Sequence, residues 1–380
     1  MTLFTNILIG LLGLSFLVFF HELGHFIAAR CMGVTVEAFS VGMGPVLLHK
    51  KLGDTDYRLS LIPLGGYCSM KGEQDYQTAL EEKRSEIGGG PDTFYGTHPF
   101  RRLIIAFAGP FFNLLFTFFA FSATAMIGYN YYTSGCTVQM SDEIPEYAGT
   151  DSPAHNAGMK SGDTILSIDG RRMNDFSDIQ AYVSLRGGET IIVKVDRDGD
   201  ELDFEVPVSL DKSTGMGRIG IYVPEESFTK KAYGPYSFFP ALAEGFRQTG
   251  VRLGQTFRSL GILFKGVDVT NVVSGPARVT TMLGETVHEG FRESARIGVI
   301  STLELLAFIS LSLFLTNLLP VPVLDGGLIL FAIIELVTRR KLNPKLLYYI
   351  QMVGIAIVGA IIVLALVGDI RYFIIGSLAK

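Results

Sequence analysis

Cysteine is scarce in this sequence of 380 residues, and neither sign of charge is in strong excess. The three cysteines, Cys31, Cys68 and Cys136, cannot all pair, and none belongs to a Cys-x-x-Cys unit. The sequence therefore predicts neither a disulfide framework nor a cysteine metal site. The 32 basic and 37 acidic residues give a formal net charge of −5, which gives no reason to expect a nucleic-acid partner.

The N-terminus has no positively charged start and no small-residue cleavage site, so Met1 to Phe20 does not match a signal peptide. Hydrophobic residues make up 48% of the chain, and the mean hydropathy is +0.36. These values favour several membrane spans plus a water-exposed domain. Four apolar stretches are long enough to cross a bilayer of about 30 Å: Leu3–Ala29, Leu103–Gly128, Leu303–Val337 and Leu347–Val367.

The distribution of basic residues predicts the topology. No Lys or Arg precedes the first stretch, whereas basic residues recur from Arg30 to Arg102 and again from Arg339 to Lys345. The positive-inside rule places these two segments in the cytoplasm, and both termini and the section 129–301 outside.

His21-Glu22-Leu23-Gly24-His25 lies within the first apolar stretch. Two histidines four residues apart share one face of a helix and can bind one Zn²⁺. Glu22 lies beside that face, where its carboxylate can take a proton from water. Ionisable side chains inside a membrane span are expensive and indicate a functional site. The alternative is two buried histidines that merely pair with a carboxylate. His21 lies nine residues before Arg30, about 13 Å along the helix, so the site is expected within the membrane, near the cytoplasm.

The third apolar stretch is too long for one straight span, and Pro320 and Pro322 break it. Irregular backbone at membrane depth is tolerated where it is buried in protein or lines a wet cavity. Asp325 follows this break and is the carboxylate placed to join His21 and His25. Two histidines and one carboxylate, with an open fourth position, make the catalytic type of zinc site.

Two other regions carry local signals. Val34 to Met70 has strand-like runs separated by glycine turns, which predicts hairpins, and Glu73 to Gly96 is polar and expected to be mobile. In the second apolar stretch, Gly109-Pro110 predicts close helix packing with a local break, and Asn113 needs a hydrogen-bond partner.

The section from 129 to 225 has the pattern of a small α+β domain. Strand runs at Thr164–Ile168 and Thr190–Val195 flank a helical pattern from Phe176 to Leu185, and Asp198-Gly199 predicts a hairpin turn. Together with Ser161-Gly162-Asp163 and similar turns, this section resembles a PDZ domain of the kind attached to bacterial proteases. Such domains bind extended peptides at a sheet edge, although the domain could instead act only as a plug or spacer.

The motif at His21 to His25, with Asn317-x-x-Pro320-x-Pro322-x-x-Asp325-Gly326, resembles the site-2 protease family of intramembrane zinc metalloproteases. Further segments resemble the bacterial regulator-of-sigma-E protease group; they are Ile62–Tyr67, Pro99–Arg102, Ala108–Asn113 and Val273–Pro276. Well-known members of that group carry two PDZ domains, whereas this chain has room for one.

The resemblance implies roles for individual residues. His21, His25 and Asp325 would bind zinc, Glu22 would be the base, and Asn317 would hold the substrate backbone. The loops that would receive unwound substrate as an added strand contain Gly42, Met43, Gly44, Leu64, Gly65, Gly66 and Tyr67. Substrates would be single-span membrane proteins shortened by another protease, such as anti-sigma factors, and possible further substrates are signal-peptide remnants.

The predicted architecture is a polytopic α-helical membrane protein of the bacterial inner membrane. It has about four transmembrane helices, a cytoplasmic membrane-associated β-hairpin region and one inserted extracytoplasmic PDZ domain. The expected segments are 1–33 (first span), 34–102 (hairpin loop), 103–128 (second span), 129–225 (PDZ domain), 226–300 (amphipathic helices), 301–340 (broken third span) and 341–380 (fourth span). Two alternative functions are a non-cleaving metal-binding scaffold and a metal transporter. Glu22 argues against the scaffold, because metal binding does not need a neighbouring base, and the polar groups confined to the cytoplasmic half argue against the transporter.

Overall fold

The computed structural model describes residues 3–84, 86–147, 149–224, 227–262, 265–268, 275–341 and 343–378. The chain divides into two compact units. The first comprises Met1–Ile127, Ser237–Arg252 and Ser274–Lys380, and the second comprises Gly128–Tyr236 and Leu253–Val273. The motif residues Val273 and Ser274 lie outside the described residues.

The α-helices, in chain order, are α1 Leu3–Cys31, α2 Asp75–Glu81, α3 Pro99–Ile127, α4 Pro153–Asn156, α5 Phe176–Ser184, α6 Phe238–Ile262, α7 Pro276–Glu293, α8 Ala295–Asn317, α9 Asp325–Thr338 and α10 Pro344–Leu378. Four segments of the described chain are helical, long and apolar enough to cross a membrane: Phe4–Cys31, Pro99–Ile127, Ala295–Asn317 and Pro344–Ile374. The four predicted spans are therefore confirmed as long helices. The third begins earlier than predicted and ends at Asn317, where a turn leads into α9.

Helix α3 is continuous through Pro110, so the predicted local break is wrong. A transmembrane helix can absorb the missing N–H of a proline without ending. The predicted close packing is confirmed, because a Cβ atom on Gly24 of α1 would lie 2.3 Å from the Ala108 carbonyl oxygen of α3. Only a residue without a side chain allows α1 and α3 to approach so closely.

The strands, in chain order, are β1 Val36–Leu52, β2 Thr55–Met70, β3 Tyr129–Thr133, β4 Gln139–Met140, β5 Thr164–Ile168, β6 Arg171–Arg172, β7 Thr190–Arg197, β8 Asp200–Pro207, β9 Ser209–Leu210, β10 Gly217–Arg218, β11 Ile221–Tyr222 and β12 Thr229–Tyr233. In the first unit, β1 and β2 form the predicted hairpin, with several register shifts. Residues 38–41 of β1 have partners in two parts of β2, at 56–59 and at 66–69. Residues 56–59 also pair with 48–51. The segment 56–59 is therefore interior to the sheet, whereas 66–69 has partners on one side only among the described residues.

The segment from Glu73 to Gly96 differs from the prediction of a mobile polar loop. It contains α2, and Ile87 and Phe94 are 5% and 3% exposed. These two apolar side chains anchor the segment to the helices around it, because Ile87 packs with Phe331 of α9 and Phe94 packs with Ile105 of α3.

The second unit contains a four-stranded sheet in the order β6-β5-β7-β8. The predicted strand at Thr164–Ile168 and the predicted helix from Phe176 are confirmed. Asp198 and Gly199 turn the chain between β7 and β8 with φ angles of 54° and 96°, as the favoured two-residue hairpin turn requires. The core of this unit is apolar and includes Ile168, Ile191 and Val193.

The region 226–300 departs from the prediction in one place. Its described part contains helices α6 and α7, but Thr229–Tyr233 is a strand, β12, that pairs antiparallel with β3. Helix α7 belongs to the first unit, where it packs against α1. A Cβ atom on Gly10 would lie 2.0 Å from the Thr280 carbonyl oxygen, so the two backbones touch.

Candidate active site

Helix α1 presents His21 and His25 on one face, as their spacing predicts. Their side chains are 12% and 9% exposed. The two Nε2 atoms are 3.2 Å apart. Both rings therefore point their Nε2 atoms toward the same small volume.

Asp325, the first residue of α9, completes this cluster. Its Oδ2 lies 3.1 Å from His21 Nε2 and its Oδ1 lies 3.2 Å from His25 Nε2. The two glycines that follow allow this placement. A Cβ atom on Gly326 would lie 2.2 Å from the Leu319 carbonyl oxygen, and one on Gly327 would lie 2.5 Å from Pro322 Cα. The turn between α8 and α9 thus folds tightly over the start of α9 and carries Asp325 to the histidines.

The three side chains suit a zinc ion. Each can offer one ligand atom, and these atoms lie within 4.8 Å of one another. A tetrahedral ion with Zn–N bonds of about 2.0–2.1 Å holds its ligand atoms about 3.3 Å apart, close to the 3.2 Å between the two Nε2 atoms and the 3.1 Å between His21 Nε2 and Asp325 Oδ2. Within the described ranges, no other group of three His, Cys, Asp or Glu side chains has this geometry.

Helix α3 orients both histidines. The Nδ1–H of His25 donates to the Ile105 carbonyl oxygen at 2.8 Å, which leaves the Nε2 lone pair free for a metal. The Asn113 side chain is 0% exposed. Its Nδ2 lies 3.1 Å from His21 Nδ1, and its Oδ1 has no hydrogen-bond partner among the described residues. A 180° rotation of this amide lets Oδ1 accept from Nδ1–H, which frees His21 Nε2 in the same way.

These orienting contacts are not predicted by the sequence. The sequence predicts only that Asn113 needs a hydrogen-bond partner, without naming that partner. The backbone carbonyl of Ile105 carries no sequence signal at all. The contact at Gly109 was also missed, although a Cβ atom there would lie 2.2 Å from His25 Nε2.

A crevice of 320 Å³ opens beside the cluster. Glu22 and Asn317 line it, together with Tyr67, Cys68, Met70, Glu73, Phe94, Ile105, Ala106, Val323, Leu324 and Leu328. Burial and the neighbouring Glu22 and Glu73 carboxylates raise the pKa of the Cys68 thiol. Cys68 is therefore a neutral thiol in the crevice wall.

The predicted substrate-receiving residues fall into two sets. Tyr67 lines the crevice, and a Cβ atom on Gly66 would lie 3.5 Å from Glu22 Cγ. Gly42, Met43, Gly44 and Gly65 lie in β1 and β2 but are not part of the crevice lining that is described, and the side chain of Leu64 lies outside the described part of the structure. The Met43 side chain packs against Gly65 of β2, because a Cβ atom on Gly65 would be 3.2 Å from Met43 Sδ. The structure therefore places the end of β2, with Gly66 and Tyr67, beside the three-residue cluster. Residues 42–44 of β1 are not part of the described crevice lining.

Comparison with known proteins places the chain in a family. The family model for peptidase family M50 matches residues 9–361. A protein of Treponema pallidum named "putative zinc metalloprotease" is 35% identical, with 97% of this chain and 99% of the relative covered. Proteins with names of the same kind from Campylobacter jejuni and Agrobacterium fabrum are each 32% identical. They cover 95% and 96% of this chain, and 92% and 95% of their own lengths.

The chain therefore belongs to peptidase family M50. By class it is a peptidase with several membrane-spanning helices.

Proposed function

We propose that this protein is an intramembrane zinc endopeptidase that cleaves single-span membrane proteins in regulated proteolysis. The observation that carries the proposal is the convergence of Asp325 with His21 and His25 beside Glu22, where the last three residues lie on a helix apolar enough to cross a membrane. Its substrates are membrane proteins already shortened by another protease, such as anti-sigma factors, together with signal-peptide remnants.

The zinc ligands are His21 and His25 through Nε2, and Asp325 through its carboxylate. When bound there, Zn²⁺ supplies a Lewis acid that polarises the scissile carbonyl and makes water a better nucleophile. The protein's own contribution is to orient both imidazoles so that each Nε2 faces the metal. Ile105 and Asn113 provide the hydrogen bonds for this, at 2.8 Å and 3.1 Å.

Glu22 is the general base. It follows His21 directly on α1 and lines the same crevice, half-buried, so its carboxylate can take a proton from the attacking water and later return it to the leaving amine. Asn317, at the end of α8, lines the crevice as well. Its side-chain amide can donate to a substrate carbonyl and accept from a substrate N–H, which holds an unwound backbone.

Substrate joins the sheet at the end of β2. A membrane helix hides its carbonyls in its own hydrogen bonds, so the cleaved segment must first unwind and find new partners. The segment 66–69 has partners on one side only among the described residues, and Gly66 and Tyr67 lie at the crevice. Strand addition at this edge supplies the missing partners. Residues 57–59, earlier in β2, are less suitable, because they already pair on both sides.

A proline scan of Tyr67, Cys68 and Ser69 tests strand addition. Successive N–H groups of a strand point to opposite edges. A proline at every second position therefore removes an N–H that faces the substrate, without removing a hydrogen bond to β1. We expect one alternating set to impair cleavage while zinc content stays unchanged, and substrates with helix-breaking residues near the cut to lose less. Equal losses for helix-stable and helix-broken substrates would contradict strand addition.

The enzyme resides in the bacterial inner membrane, with both termini and the segment 129–225 outside and the active site near the cytoplasmic side. The charge distribution supports this topology. The segment 129–225 acts as a PDZ domain. A groove of 610 Å³ is lined on one side by Ile179 and Val183 of α5. On the other side it is lined by the segment 216–222, which contains β10 and β11. It is suited to an extended peptide or a substrate tail.

The proposed function is tested in the bacterium that carries this chain. Membrane fractions of a Glu22→Gln strain and a wild-type strain are compared by mass spectrometry. We expect single-span stubs, each lacking its extracytoplasmic part, to accumulate only in the variant strain. Identical stub populations would contradict intramembrane proteolysis.

A further inference from the structure

A buried ion pair joins α3 to α9. Arg102 Nη2 donates to Glu335 Oε2, and the two side chains are only 6% and 8% exposed. The partners are separated by 233 positions in the sequence. The guanidinium also lies 5.6 Å from the ring centre of Tyr95. Both charges are therefore held inside the first unit, away from solvent.

The same face of α3 contacts both histidines. Arg102, Ile105, Gly109 and Asn113 follow one another at intervals of three, four and four residues, which keeps them on one side of a helix. Ile105 accepts from His25 at 2.8 Å, and Asn113 lies 3.1 Å from His21. Helix α3 is thus the element against which two of the three proposed zinc ligands are positioned.

The third ligand depends on the placement of α9. Asp325 begins this helix of 14 residues, and Glu335 lies ten positions further along, about 15 Å away. A slide of α9 by one residue moves Asp325 by about 1.5 Å, which is enough to destroy separations of 3.1 and 3.2 Å from the histidines. A contact at the far end of α9 therefore restrains both the position and the rotation of the helix.

The energetics of buried ion pairs favour such a role. Removing two charges from water costs much of what their attraction returns, and apolar side chains of similar size stabilise a fold as well or better. The advantage of the pair lies in its directionality, since a guanidinium and a carboxylate bond in few orientations.

We propose that Arg102 and Glu335 are positioning residues for the metal site. Their ion pair fixes α9 against the helix that orients His21 and His25, so that Asp325 meets both Nε2 atoms. The proposal rests on the zinc site described above and adds a requirement for two residues that do not contact it.

The test compares two double variants of the purified full chain. Arg102→Met with Glu335→Met removes both charges of the pair. Arg102→Glu with Glu335→Arg restores a pair of reversed polarity. Lys71→Met with Asp92→Met is the matched control, because it removes an exposed pair, with side chains 45% and 44% exposed. For each protein we measure the melting temperature without metal, the zinc affinity against a chromophoric chelator, and the visible absorption of bound Co²⁺.

We expect the double-methionine variant, here called the apolar pair, to melt like the wild type. It should bind zinc about 10–100-fold more weakly, which is the usual loss when a supporting contact of a metal ligand is removed, and its Co²⁺ spectrum should change. The reversed pair should recover most of the affinity, and the control should match the wild type. Wild-type affinity and spectrum in the apolar pair would overturn the proposal, as would a reversed pair that binds as weakly as the apolar one. An Asp325→Ala variant measured alongside distinguishes a failure of this proposal from a failure of the proposed zinc site. If Asp325→Ala keeps its zinc, the ligand set itself is wrong.

Discussion

The two units of this protein use buried polar groups differently. In the second unit they close turns and also tie the unit to itself: Asp175 accepts from the Asp178 N–H at the start of α5 and pairs with Lys231, and Asp163 accepts from the Lys160 N–H and pairs with Arg197. In the first unit, two contacts of buried groups orient the histidines of the candidate site. Asn113 and His21 are 92 positions apart, and His25 and Ile105 are 80 apart.

The contacts of the second unit therefore stabilise that unit, whereas those of the first unit also shape the candidate site. A helix cap, for example, contributes about 1 kcal/mol to its own element. The long-range contacts of the first unit bring three ligand atoms into one small volume, so altering one of them changes the site and leaves most of the fold intact. The following variants test this contrast, from the largest expected effect on cleavage to the smallest.

Glu22→Gln should abolish cleavage while zinc stays bound, because the change removes the base but no ligand. Loss of a general base typically costs about 10²–10⁴-fold in rate. The assay uses purified protein and a single-span substrate identified from the accumulating stubs. His288→Ala in α7, a histidine outside the described crevice lining, serves as the control and should retain both zinc and activity. Wild-type turnover by the Gln variant would reject Glu22 as the base.

Gly109→Ala should lower activity by about 10²-fold, as a misplacement of about 1 Å can. The new methyl group would lie 2.2 Å from His25 Nε2 and must displace it. Gly359→Ala in α10 is the matched control, because a Cβ atom there meets nothing within 4 Å. Equal activity in the two variants would show that His25 does not need its present position.

Asn113→Ala should weaken zinc binding by about 10–100-fold, since His21 loses the partner that fixes its ring. Chelator competition measures the affinity directly. Asn156→Ala, an exposed position of the second unit that bonds Asp151, is the control and should have no effect. An unchanged affinity in Asn113→Ala would assign this residue to packing alone.

Ile191→Ala should leave zinc content and cleavage unchanged but destabilise the second unit by about 2–5 kcal/mol. Ile191 is 1% exposed in the apolar core of that unit. Amide hydrogen exchange in β7, measured in the full chain, reports the local stability. A large loss of zinc in this variant would contradict the separation between the two units.

The contrast also explains what the sequence could predict. Local patterns were sufficient for the four long helices, for the strands β5 and β7, and for the turn at Asp198-Gly199. The spacing of His21 and His25 on one helix and the break before Asp325 predicted the three side chains that converge. Each of these signals lies within a few neighbouring residues.

Other features depend on contacts that no local pattern encodes. The segment around Ile87 and Phe94 reads as a polar loop, because its two anchors are isolated among polar residues. Arg102 and Glu335 look like ordinary charges near helix ends until the packing of α3 on α9 buries them. The side of 66–69 that has no partner within the described part of the chain follows from the register shifts of β2, and spacing alone does not determine those shifts.

Residues from α1 and α9, separated by about 300 positions in the sequence, are proposed to hold one metal ion together. The sharpest test is the zinc content of purified Asp325→Ala after brief exposure to a chelator. We predict about one zinc per chain in the wild type and in Glu22→Gln, and little or none in Asp325→Ala, because only two ligands remain. Full zinc occupancy in Asp325→Ala would contradict the account.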